Sequence, residues 1–196
     1  TSIARLYRVS RGGKYYILKT TNSELDLSYI FKREFDLSKD LCHPYIAYIF
    51  DYVSVSEIGE GILMEYVEGR SLSEFLKENP ELKQRTRVWN QLLEAVDYIH
   101  KKGILHNDLK PENIMVTWSG NNVKLIDFGL SDNAAHHMYK TLGCTSGYAS
   151  PELLGREHLD VRSDIYSLGL IMKEIFGRRY ICISSKASSL LFNASI

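Results

Sequence analysis

His106-Asn107-Asp108-Leu109-Lys110-Pro111-Glu112-Asn113, followed downstream by Asp127-Phe128-Gly129, decides how this chain is read. The first phrase supplies an acid, a lysine and an amide within one loop. The second adds a carboxylate followed by glycine. Moving a terminal phosphoryl group calls for this set: a carboxylate to orient a hydroxyl, a cation for the phosphoryl oxygens, and oxygen ligands for Mg²⁺. Both phrases, in this order and at this separation, are poorly explained by chance.

Upstream, the pattern is strand-like. Leu6 to Val9, a Gly12-Gly13 break and Lys14 to Lys19 predict a hairpin, with Tyr15, Ile17 and Lys19 on one face. Leu27, Ile30, Glu34, Leu37 and Leu41 then fall at helical spacing. A carboxylate inside such a stripe needs a partner. Lys19 is the natural candidate; the alternative is that Glu34 sits at the stripe's edge and reaches water. Two more strand-like runs follow, at 46–55 and 61–67. Ser71-Leu72-Ser73-Glu74 has the form of a capping box. Val88, Leu92, Val96 and Ile99, flanked by Trp89 and Leu93, predict a long helix ending near Lys101-Lys102-Gly103. Ser163 to Phe176 predicts another. A strand-rich first third and a helix-rich remainder place the expected division at 67/68.

The bulk numbers fit this outline. A chain of 196 residues, 44% hydrophobic and 24% charged, can bury a real core. A formal net charge of zero gives no pointer to nucleic acid or an anionic membrane. No apolar run approaches the roughly 20 residues that span a bilayer. Three cysteines, Cys42, Cys144 and Cys182, show neither metal-ligand nor disulfide spacing, so reduced thiols and a cytoplasmic location are expected. No signal peptide is visible. The start at Thr1 rather than Met leads us to expect an upstream segment.

The two phrases resemble the catalytic loop and metal-binding motif of the protein kinase family, and the resemblance extends over residues 2–178. It implies an α+β, bilobal fold. A small antiparallel-sheet N-lobe with one helix (1–67) would precede a mainly helical C-lobe (68–179), with a tail of uncertain structure at 180–196. It further implies ATP and Mg²⁺ as cofactors and a protein substrate. Asp108 matches the family's catalytic aspartate, and Lys110 the lysine reaching the γ-phosphate. Asn113 and Asp127 match the Mg²⁺ ligands. Lys19 looks like the strand lysine that pairs the α- and β-phosphates, and Glu34 like its helix partner, standing before His43-Pro44 much as in the family. Met64 is similar to the gatekeeper. Glu65-Tyr66-Val67 resembles the hinge, so Glu65 and Val67 join Leu6 and Ile17 as expected nucleotide contacts. Gly143-Cys144-Thr145 and Ser150-Pro151-Glu152 resemble the end of the activation segment, and Asp164 the aspartate that braces the catalytic loop. Taken singly, Asp-Phe-Gly is a common turn and Asp164 an ordinary N-cap. The octet at 106–113, in order with Lys19 and Glu34, carries the weight.

Four departures from the family stand out. Ser2-Ile3-Ala4-Arg5-Leu6 resembles only the end of the phosphate-covering loop, with Ala4 in place of a third glycine. Nucleotide affinity should fall with the loss of those backbone N–H groups. Ile17 stands where alanine is usual above the adenine. Asn107 replaces the arginine that would pair with a phosphorylated activation loop, so phosphate on Thr141 should matter little. The family's last helices have no counterpart after Arg179, which leads us to expect an incomplete C-lobe and a Glu152 without its partner.

Lys110 and Thr145 favour a serine/threonine kinase, of bacterial type. The first alternative is a pseudokinase or nucleotide-binding scaffold. The second is a small-molecule kinase of the choline or aminoglycoside kind, which Asn107 invites. Lys110, Gly129 and Ser150-Pro151-Glu152 stand against that one.

Overall fold

Gly12 and Gly13 adopt φ of 58° and 77°, the left-handed pair that a tight hairpin turn requires. They join strands β1 (Ala4–Arg11) and β2 (Lys14–Thr21), which pair antiparallel from Arg11↔Lys14 to Ala4↔Thr21. The computed structural model describes residues 4–21, 28–56, 58–128, 132–133, 147–155 and 159–177. Strands β3 (Ile49–Val55) and β4 (Gly59–Glu65) complete a sheet of order β1-β2-β4-β3. Gly61 permits the close approach of β4 to β2: a Cβ there would lie 2.5 Å from the Lys19 carbonyl oxygen.

Helix α1 (Ser28–Ser38) lies against this sheet. Its Phe31 joins Ala47, Ile49, Ile62 and Met64 in a small core, with Ile17 and Phe35 at the margin. Leu27 and the Ile30 side chain lie outside the described residues. The helix buries Phe31, Glu34 and Ser38 and leaves Leu37 half-exposed, so the inward stripe is rotated one residue from the expected one. Both stripes contain Glu34. Phe31, the bulkier apolar group, fixes the rotation. Leu41 falls beyond the helix and joins the second core instead.

That second core is built on α3 (Leu82–Lys101), whose Val88, Leu92, Ala95, Val96 and Ile99 face inward. It also takes in Leu72 and Phe75 of α2 (Leu72–Lys77) and Leu168, Ile171 and Ile175 of α5 (Val161–Phe176). Ser71 and Glu74 close the expected capping box on α2. Gly103, at φ 73°, follows the end of α3 where a C-terminus favours glycine. Short strands that sequence periodicity did not show run between the helices: β5 (Gly69–Ser71), β6 (Ile104–Leu105), β7 (Ile114–Thr117), β8 (Val123–Leu125) and β9 (Asp132–Asn133). They form a β5-β7-β8 sheet and a β6-β9 pair. A brief α4 (Pro151–Gly155) precedes α5.

The first sheet ends at Glu65 and the second begins at Gly69, but the cores divide less simply. Leu41 and Ile46 belong to the second core, and Ile46 bridges Leu125 in parallel. Asp160, not Asp164, caps α5. Glu152 does have a partner: Ser163 Oγ donates to it at 3.3 Å. Val161, Ile165 and Tyr166 leave an exposed apolar face on α5. No helix among the described residues is long and apolar enough to cross a membrane.

Candidate active site

Lys19, on β2, reaches both α1 and the Asp127 turn. Its ammonium donates to both carboxylate oxygens of Glu34, at 2.8 and 2.7 Å, and to Asp127 Oδ1 at 2.6 Å. The Lys19 and Glu34 side chains are only 8% and 2% exposed, whereas Asp127 is 40% exposed and opens to solvent. Burial pulls the Lys19 pKa down, but Glu34 and Asp127 more than reverse this and hold it above the usual lysine value. The backbone N–H of Phe128 adds a bond to Glu34 Oε1 at 3.2 Å. Helix α1, strand β2 and the Asp127 turn are thereby tied at one point.

The loop of Asp108 is held from two sides. From within, Asp108 Oδ2 accepts from Lys110 Nζ at 2.6 Å and from Asn113 Nδ2 at 2.9 Å; Oδ1 takes part in neither bond. Asn113 Nδ2 also donates to the Asp108 carbonyl, so its Oδ1 is the amide atom left to meet a cation. From outside, α5 supplies Asp164, buried among the loop's amides. Its Oδ2 accepts from the His106 N–H at 2.9 Å and its Oδ1 from the Asn107 N–H at 2.8 Å, while His100 Nε2 lies 2.7 Å from Oδ2. Asn107 tolerates φ 62° here, a left-handed backbone that asparagine accepts more readily than most residues.

His106 stitches this loop to the Asp127 turn. Its Nε2 lies 3.3 Å from the Ile126 carbonyl, and its Nδ1 accepts from the Asp108 N–H at 3.4 Å. Burial pushes its pKa down against the pull of nearby carboxylates. A neutral ring with Nε2–H donating fits both contacts. The ring also meets the buried Phe128, with centroids 5.0 Å apart. Ile126 N–H bonds the Asn113 carbonyl at 3.0 Å, which sets Asn113 beside the strand leading to Asp127. Asp127 itself turns at φ 65°.

Along the first sheet, Met64 is buried in the small core and Val67 packs against it. Glu65 closes β4, and its carboxylate is already engaged, accepting from the Tyr48 N–H and from Lys124 Nζ, both at 2.9 Å. Its backbone N–H is engaged as well, donating to the Tyr48 carbonyl at 2.8 Å. Leu6 stands opposite Lys19 on β1, exposed. Ile17 is half-buried at the margin of the small core.

Ser2, Ile3, Gly129, Thr141, Gly143-Cys144-Thr145 and 178–196 lie outside the described residues. Four contacts escaped sequence reasoning: Asp127 to Lys19, Phe128 N–H to Glu34, Lys124 to Glu65, and the Tyr48 N–H to Glu65. The last two join segments with no shared periodicity, so no local signal announced them.

The donor set fits Mg²⁺ held in the presence of phosphate. A carboxylate and an amide oxygen are hard ligands, and Mg²⁺ typically takes one or two protein groups and completes its shell with phosphate and water. Among the described residues there is no cluster of three or more His, Cys, Asp or Glu that would cage a metal unaided.

A family profile described as the protein kinase domain matches residues 2–194, and the chain belongs to that family. Named relatives give the finer likeness. The probable serine/threonine-protein kinase PknB of Bifidobacterium longum is 38% identical over 164 residues, covering 76% of this chain and 24% of the relative. Serine/threonine-protein kinase PrkC of Bacillus subtilis is 36% identical over 155 residues, with coverage of 76% and 24%. Serine/threonine-protein kinase cds1 of Schizosaccharomyces pombe is 33% identical over 194 residues, with coverage of 87% and 41%. This chain spans 24% to 41% of the length of these relatives.

Proposed function

We propose that the chain transfers the γ-phosphoryl group of ATP to a serine or threonine hydroxyl of a protein substrate, with Mg²⁺. The observation that carries this reading is Lys19 held between Glu34 and Asp127, next to a loop in which Asp108 is fixed by Lys110 and Asn113. Mg²⁺, when bound, neutralises charge on the transferring phosphate.

The chain's own groups do the rest. Asp127 and Asn113 Oδ1 would hold the metal. Lys19, kept charged by its two carboxylates, would meet the α- and β-phosphates. Lys110 passes from Asp108 to the γ-phosphate. Asp108 Oδ1 orients the incoming hydroxyl and receives its proton. The backbone of Glu65 and Val67 pairs with adenine, between Leu6 and Ile17. In this reading 1–67 and 68–179 act as the two lobes, and the cytoplasm is the compartment, as ATP use and the free thiol of Cys42 suggest.

Incubation with Mg·ATP and a generic basic protein tests the reading. Phosphoserine or phosphothreonine should form, and Asp108→Asn should abolish it. Mg·ATP binding without any transfer would give the scaffold reading instead. Phosphorylation of choline or an aminoglycoside without a protein product would move the chain to the small-molecule kinases.

A further inference from the structure

We infer that Lys124 is a positioning residue for the nucleotide, fixing the hinge against the strand that leads to Asp127 through its ion pair with Glu65. The inference rests on the reading of the cleft as an ATP site. Lys124 lies in β8 of the second sheet and Glu65 ends β4 of the first, yet Nζ and Oε2 are 2.9 Å apart. Their side chains are 20% and 29% exposed, so this pair is far less screened than an ordinary surface pair.

The pair is one member of a larger clamp. Glu65 and Tyr48 are tied twice, by the Tyr48 N–H to Glu65 Oε2 at 2.9 Å and by the Glu65 N–H to the Tyr48 carbonyl at 2.8 Å. The segment just before Tyr48 is tied to β8, with Leu125 N–H donating to the Tyr45 carbonyl and Ala47 N–H to the Leu125 carbonyl. Lys124 closes the triangle. A ligand that pairs with the hinge backbone at one end and meets Asp127 at the other needs the spacing this triangle sets.

Cutting the Lys124 arm leaves the hinge to be ordered by the ligand, a cost that appears in affinity. Asp108, Lys110 and Asn113 keep all their mutual bonds, so the chemical step is untouched. A pair that merely stabilised the fold would move the denaturation midpoint and not affinity. A pair that had to open for turnover would raise kcat when removed.

The test compares the wild-type chain with Lys124→Met, Lys124→Arg and Glu65→Gln. Four quantities are read: Kd for Mg·ADP by calorimetry, KM and kcat for ATP, and the urea midpoint. Lys124→Met and Glu65→Gln should each raise Kd and KM about five- to tenfold, as loss of a coupled ion pair does. Lys124→Met should keep kcat within about twofold, the mark of lost uniform binding, and Lys124→Arg should restore affinity. An unchanged Kd in both charge-removing variants overturns the inference, as does a raised kcat in Lys124→Met. A wild-type chain that binds no Mg·ADP overturns the ATP-site reading and the clamp's role with it. Binding in the wild type with equal Kd in the variants overturns the clamp alone.

Discussion

Lys19 is buried with one carboxylate that shares its burial and one that reaches water, and this asymmetry governs what its removal does. Lys19→Met strands Glu34 in an apolar setting, which should cost about 3–5 kcal/mol in a urea titration. Replacing both members, Lys19→Met with Glu34→Met, should recover most of that loss, since an apolar pair avoids the desolvation of either ion. Mg·ATP binding should stay lost in both variants; its return in the double variant would sink the assigned role of Lys19. Because the folded pKa of Lys19 is raised, its contribution is complete below the unfolded value of about 10.4 and is lost only as pH rises beyond it. His106 has the opposite sign. Burial holds its folded pKa down, so the unfolded chain takes up the proton first. Its contribution is complete above about pH 6.5 and declines as pH falls through the folded value. Denaturation midpoints should therefore drop as pH falls below about 6.5, with a shallower slope in His106→Gln. An equal slope in that variant would show that other groups carry the acid sensitivity.

Elements decide how those residues are aimed, and here the sequence was readable only in part. The Ser71 capping box and the inward face of α3 were plain because each is a local pattern. The α1 stripe was displaced by one residue, because a rotation of the helix keeps Glu34 inward either way and only the sheet's shape selects Phe31. Strands β6 to β8 were missed because runs of two to four residues are too short for a period of two to stand out, although β7 and β8 do alternate between buried and half-buried positions. Asp164 stands in a helix's first turn, where the residue taken singly reads as an N-cap; only the family resemblance pointed to the catalytic loop. Its true partners, the His106 and Asn107 amides, lie 58 and 57 positions away. Asp164→Ala should leave buried donors unmet at about 1–3 kcal/mol each, and amide exchange at His106 and Asn107 should quicken. Unchanged exchange at both would mean that α5 does not brace the loop. Two glycines separate packing from propensity. Gly61→Ala forces β4 off β2 at the level of Lys19 and should cost about 1–3 kcal/mol. Gly169→Ala on α5 meets no neighbour and should stabilise by about 0.5–1 kcal/mol. Opposite signs in paired thermal melts are the expected outcome.

At the scale of the whole molecule, the two cores are unequal. Among the described residues, the first draws its buried apolar groups from α1, β3, β4 and the segment before β3, while the second gathers α2, α3, α5 and three short strands. The first has less buried area to oppose its chain entropy, so it should open first, below the free energy of global unfolding. Among the connections that restrain it are the Lys19–Asp127 contact, the Phe128 N–H bond to Glu34, the Lys124–Glu65 pair and the bridge between Ile46 and Leu125. A nucleotide in the proposed cleft would add another, held by Lys19 and the hinge on one side and by Asn113 and Asp127 on the other. Ligand that binds only the closed form stabilises it by about 2.7 kcal/mol at a hundred times Kd. That gain belongs to whichever region must open to release the ligand. Saturating Mg·ADP should thus slow amide exchange in β1 to β4 and α1 by up to about a hundredfold. Exchange in the centre of α3 should change little, since it already reports global unfolding. Uniform protection of both regions would mean that the molecule opens as one unit, and that its small core is held as firmly as its large one.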